Sequence, residues 1–62
     1  MNKLREIRSK LQVTQKDLAD AVGVSQPYIH DLEMGNRKMN PAISIKIAKK
    51  LGVSVDDICP AE

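Results

Sequence analysis

The sequence predicts an all-α fold, a compact bundle of five short helices. Apolar residues recur every three or four positions in one segment after another, as a single helix face requires. Residues that cap helices stand ahead of those segments, at Thr14, Ser25, Asn40 and Ser54, with Pro27 and Pro41 just inside two of the starts. Gly23, Gly35 and Gly52 fall where the apolar spacing stops, and no stretch alternates as a strand would.

At about 100° per residue, Leu4, Ile7, Arg8 and Leu11 share one narrow arc, while Lys3, Arg5, Glu6, Ser9 and Lys10 face away. That is a first amphipathic helix, followed by a short break at Gln12 and Val13. Thr14 caps a second helix whose inward stripe is Leu18, Ala19 and Val22, and Gly23 ends it. The third helix opens at Ser25. Pro27 lies in its first turn, where a missing N–H costs nothing, so the proline is a helix starter. Ile29 and Leu32 are its docking stripe, and Gly35 with Asn36 stops it.

A loop through Met39 leads to Asn40 and Pro41, another cap-plus-proline start, and the fourth helix ends at Leu51 and Gly52. Its Ile43, Ile45, Ile47, Ala48 and Leu51 span an arc of about 200°, which predicts a central helix with several neighbours and leaves Lys46, Lys49 and Lys50 on a solvated face. Gly-Val-Ser occurs at 23–25 and again at 52–54, each copy serving as helix stop, packing residue and next cap. The second copy implies a fifth helix from Val55 to Cys59, ended by Pro60.

At 62 residues the chain is expected to form one domain over 1–62. A domain of that size buries only about 60% of its unfolded surface, so a second chain would add to its stability. It is too small to enclose a deep catalytic pocket. The 42% hydrophobic and 29% charged residues suit a folded, soluble domain. No run approaches the roughly 18 apolar residues of a membrane span, and Met-Asn-Lys-Leu-Arg has no signal-peptide core, so a cytoplasmic protein without membrane contact is expected. The single Cys59 can form neither an internal disulfide nor a zinc site and reads as a partly buried thiol. His30 has no serine or cysteine partner in any motif. Neither enzyme activity, metal nor cofactor is expected.

The second and third helices flank a short turn containing Gly23, as in a helix-turn-helix at about residues 15–34, whose second helix lies in the DNA major groove. From Lys3 to Cys59 the chain resembles the Cro and phage-repressor-like (Xre) helix-turn-helix family. The stretches that carry the resemblance are TQKDLADAVGVSQPYIHDLEMGNR and IAKKLGVSVDDI, with Gln15, Ala19, Gly23, Ile29 and Leu32 at diagnostic positions. It implies a lambda-repressor-like DNA-binding domain, a transcriptional regulator acting as a homodimer on a palindromic operator, with double-stranded DNA as partner.

The residues left over from docking are then the informative ones. Gln26 matches a base-reading position, and a glutamine can bond bidentately to adenine N6 and N7. Gln15 is expected to bind a phosphate and to steady Gln26. Tyr28 suits a phosphate or sugar contact better than the core, since a buried hydroxyl needs a partner. Asp31 can accept from cytosine N4 or exclude wrong sequences, Pro27 offers apolar contact to a thymine methyl, and His30 fits either a base contact or a solvated position. Asn36, Arg37 and Lys38 follow the third helix, where the family's backbone-contacting loop lies, and are the expected phosphate clamp.

Arg8 falls inside an apolar stripe, where an unpaired charge is expensive. In the family it resembles, an arginine here pairs with a glutamate late in the recognition helix, which in this chain is Glu33. Met39, Ile43, Val55 and Cys59 are the expected dimer interface, as apolar residues able to form a patch beyond the core. The net charge is only +2, and residues 17–34 carry Asp17, Asp20, Asp31 and Glu33 but no Lys or Arg. That acidity leaves room for an alternative, a helix bundle whose main partner is a protein such as a toxin.

Overall fold

A computed structural model describes residues 3–58 of the chain. Five helices follow one another: α1 (Leu4–Lys10), α2 (Gln15–Val22), α3 (Gln26–Met34), α4 (Pro41–Leu51) and α5 (Val55–Ile58). No described residue is in a strand.

The starts of the helices are set locally. Thr14 Oγ1 accepts from the N–H of Asp17 at 3.0 Å, Ser25 Oγ from Tyr28 at 3.3 Å and Asn40 Oδ1 from Ile43 at 2.9 Å. Ser54 and Asp57 cap each other's backbone, with Ser54 Oγ accepting from Asp57 N–H and Asp57 Oδ2 from Ser54 N–H. Each cap satisfies an amide that the helix leaves unpaired and contributes about 1 kcal/mol. Between α2 and α3 the chain reverses through Gly23 at φ +85°, a left-handed conformation. A Cβ there would meet nothing within 4 Å, so glycine is required by the backbone angle and not by space. Gln12, between α1 and α2, adopts φ 58° without being glycine.

The core is one cluster. Leu4, Leu18, Ile29, Leu32, Ile47 and Ile58 are fully buried, with Ala19, Val22, Ala48 and Leu51 close behind. Helix α2 packs on α3 and α4, and α4 packs on α5. Lys3 N–H donates to the Ile58 carbonyl at 2.8 Å, which ties the start of α1 to the end of α5. Burying an Ile or Leu side chain stabilises by about 1.5–3 kcal/mol, so this cluster is the main favourable term in folding.

Two expected core positions lie outside it. Leu11 is 48% exposed because it follows the last residue of α1, and Val13 returns to the core in its place. Ile45 is also 48% exposed. The buried face of α4 is narrower than its apolar arc and consists of Ser44, Ile47, Ala48 and Leu51, with Ile43 half-buried beside it. Ser44 is tolerated there because its hydroxyl donates to the Pro41 carbonyl at 2.9 Å. Cys59, expected in the fifth helix and at a dimer interface, lies outside the described residues.

Candidate nucleic-acid interface

The third helix has an inner and an outer face, and a buried carboxylate joins it to the rest of the molecule. Ile29, Leu32 and Glu33 are its buried residues. The Glu33 side chain retains 1% of its accessible surface, so its charge is cut off from water and needs protein partners. Arg8 supplies a fork: Nε lies 2.6 Å from Oε2 and Nη2 lies 3.3 Å from Oε1. Its remaining nitrogen, Nη1, donates to the Val13 carbonyl at 2.7 Å, holding the turn between α1 and α2 as well. Gln15 Nε2 donates to Glu33 Oε1 at 3.0 Å. Among the described residues no buried side-chain nitrogen or oxygen is left without a partner.

One carboxylate on α3 therefore collects α1, the first turn and the start of α2. Removing any donor would leave a buried acceptor short by a charged or polar bond. Gln15, expected to bind a phosphate and steady Gln26, lines the same depression as Gln26 and turns its amide nitrogen toward Glu33 and, at 3.4 Å, His30 Nδ1. Periodicity along the chain does not reveal that partner, which lies 18 residues away on another helix.

Outward, Gln26, Pro27 and His30 are exposed and Asp31 is half-buried. Together with Gln15 they line a shallow depression open to solvent. It presents two amides, an apolar ring, an imidazole and a carboxylate side by side. Such a surface can offer donors, acceptors and apolar contact to the edges of bases.

Tyr28, expected as a phosphate or sugar contact, is half-buried and packs in part against the core. Its ring face carries the Arg37 guanidinium, with Cζ 4.7 Å from the ring centre. That geometry is a cation–π contact, favourable by about 0.5–1 kcal/mol at an exposed position. The loop after α3 is anchored by Gly35 N–H to the Leu32 carbonyl at 3.3 Å and Asn36 N–H to the Asp31 carbonyl at 3.0 Å. Asn36, Arg37 and Lys38 are exposed on it. Met39, Ile43 and Val55 are half-buried and pack against the core, each leaving part of its surface outside. Met34, at the end of α3, is 48% exposed, on the side left over from docking.

Lys10 with Glu6 and Lys16 with Asp20 form exposed pairs at 3.8 Å, which contribute little. No group of three metal-binding side chains occurs among the described residues, and no described helix is long and apolar enough to cross a membrane.

Residues 4–58 match a family model described as helix-turn-helix. An uncharacterized HTH-type transcriptional regulator of Methanocaldococcus jannaschii is 40% identical over 57 residues, covering 92% of this chain and 86% of its own length. One from Bacillus subtilis is 33% identical over 60 residues, covering 97% and 87%. A propionyl-CoA carboxylase regulator of Cereibacter sphaeroides is 37% identical over 60 residues, and there the chain spans only 13% of the relative's length. Among solved structures, the clp gene regulator ClgR from C. glutamicum superposes with a TM-score of 0.82 at 35% identity, over 87% of this chain and 70% of that one.

Proposed function

The chain belongs to the helix-turn-helix family of DNA-binding transcriptional regulators, and we propose that it is a sequence-specific repressor that binds a palindromic operator as a homodimer in the cytoplasm. The observation that carries this reading is the two-sided third helix. Its inner face is locked by Ile29, Leu32 and the Glu33 hub, and its outer face presents Gln26, Pro27, His30 and Asp31 around a depression open to solvent. In this reading Gln26 reads an adenine edge, and Pro27, His30 and Asp31 complete the base-facing surface. Tyr28, Asn36, Arg37 and Lys38 hold the phosphates, and Gln15 contributes its backbone N–H at the start of α2, its amide nitrogen being engaged by Glu33 and His30.

A dimer follows from size. One module of this kind covers too little DNA for tight specific binding, and two of them on half-sites about one helical turn apart double the contact. Met39, Ile43 and Val55 supply apolar surface for that association, together with Cys59 beyond the described residues. Repression would then follow from occupancy of a promoter.

Selection of bound sequences from a random duplex pool tests the proposal. Enrichment of a palindrome is expected. A second reading, docking of a protein partner such as a toxin, is favoured by one observation: Asp17 and Asp20 are exposed and Asp31 half-buried on a helix-turn-helix segment that lacks Lys and Arg from 17 to 34. Absence of any enriched sequence would favour it.

A further inference from the structure

Four side chains form a line of hydrogen bonds whose direction is fixed at its buried end. Arg8 can only donate, and an ionised Glu33 can only accept. Gln15 turns Nε2 toward Glu33 Oε1 at 3.0 Å, and its amide oxygen could not stand there, since two acceptors would face each other. The same nitrogen lies 3.4 Å from His30 Nδ1. An amide nitrogen has no lone pair with which to accept. For this contact to be a hydrogen bond, Nδ1 must be the bare ring nitrogen, and the proton of the neutral imidazole then resides on Nε2.

We propose that His30 is a polarity-fixed reader of the major groove, donating its Nε2–H to a purine N7, with Arg8, Glu33 and Gln15 setting that polarity from inside the protein. The proposal rests on the reading of α3 as the base-contacting helix. His30 is exposed and shares its depression with Gln15, Gln26, Pro27 and Asp31, so it stands among the base-reading candidates of α3, with Gln15 on its other side. Purine N7 is the acceptor that adenine and guanine both present in the major groove, whereas cytosine N4 presents a donor. A ring held in this tautomer therefore requires an acceptor, which purine N7 supplies, and rejects cytosine N4, where two donors would meet. Asp31, the next residue, has the opposite polarity when ionised, so adjacent side chains would demand opposite groups from the DNA.

Duplexes selected by the protein are remade with 7-deazapurines, one purine at a time, and separately with single methylphosphonate linkages. The adenine read by Gln26 should show a 7-deaza penalty of its own, lost in Gln26→Ala; at a second purine per half-site the change is expected to weaken binding about tenfold through His30. His30→Ala should abolish that penalty and Gln26→Ala should retain it. Gln15→Leu, which cuts the line but keeps the ring, should diminish it. Long-range 1H–15N spectra of the free protein in mildly alkaline buffer should place the His30 proton on Nε2. A proton on Nδ1 overturns the proposal, and so does a selected sequence with no His30-dependent 7-deaza penalty; neither result disturbs the base-reading role of α3. A methylphosphonate penalty that His30→Ala removes, in place of the 7-deaza penalty, assigns the residue to phosphate and overturns the proposal too. Failure to select any sequence overturns both it and the reading on which it rests.

Discussion

Arg8 Nε lies 2.6 Å from Glu33 Oε2, joining α1 to α3 through a pair whose carboxylate is buried and whose guanidinium keeps 12% of its side-chain surface. The contact is an anchor with a second use, because the other carboxylate oxygen also receives Gln15. Stability and the attitude of α3 are thereby coupled in one group.

Replacing either Arg8 or Glu33 by alanine should destabilise the fold by about 3 kcal/mol or more, since the survivor is a stranded buried charge. Replacing both with apolar residues of similar volume, Arg8→Met with Glu33→Leu, should cost clearly less than the sum. Urea denaturation of the two single variants and the double variant measures this. Additive losses would show that the two side chains act independently.

The Gln12 backbone at φ 58° is held in the turn by Gln12 N–H to the Ser9 carbonyl at 3.1 Å and Val13 N–H to the Arg8 carbonyl at 3.1 Å. A side chain in this conformation costs about 1 kcal/mol. Gln12→Gly should therefore raise stability by roughly 0.5–1 kcal/mol despite glycine's freer unfolded chain, as a higher urea midpoint with an unchanged slope. A lower midpoint would mean that the glutamine side chain has a role in the turn.

Tyr28 and Arg37 offer a separation of ring from hydroxyl. If the aromatic face holds Arg37 ready for a phosphate, Tyr28→Phe should bind DNA within about twofold of the native protein, while Tyr28→Leu should weaken binding to every sequence by roughly 0.5–1 kcal/mol. Equal losses in both variants would identify the hydroxyl as the contact. Thermal melts of each variant control for its share of core packing.

What could be read from the chain alone was mainly local. Thr14, Ser25 and Asn40 cap an amide three residues ahead, so residue type and spacing suffice to place them. The stripe of Leu18, Ala19 and Val22 is likewise a property of one helix. Ile45 shows the limit: it belongs to the apolar arc of α4, but whether a neighbour covers it depends on how the helices cross. Leu11 fails for a related reason, since the helix stops before its position on the wheel becomes a place in the core. Ile58, fully buried near the end of the chain, received no weight because a four-residue helix has too little periodicity to assign an inner face. At the candidate site the residue types were legible, but their long-range partners were not. Gln15 could be placed at the start of α2, whereas its bond to Glu33 exists only once α2 and α3 are packed.

Association should be visible in sedimentation at tens of micromolar, at least when a two-half-site duplex is present, with the complex holding two chains. Ile43→Lys, at a half-buried position on α4, should shift the assembly toward one chain per duplex and lower the apparent affinity for the full operator more than for a single half-site. Monomer alone, with and without the duplex, would remove the dimer from the account.

The central claim is that the outer face of α3 reads bases while the loop behind it grips phosphates, and titration of selected and scrambled duplexes over a range of salt separates the two. Gln26→Ala should lose roughly 1–3 kcal/mol on the selected duplex, relax preference at one base position per half-site, and leave the scrambled duplex almost unaffected. Lys38→Gln and Arg37→Gln should each weaken both duplexes alike and reduce the slope of log K against log salt by about 1 per lost contact, doubled in a dimer. A Gln26→Ala protein with unaltered base preference, or loop variants with an unaltered salt slope, would contradict this division of labour.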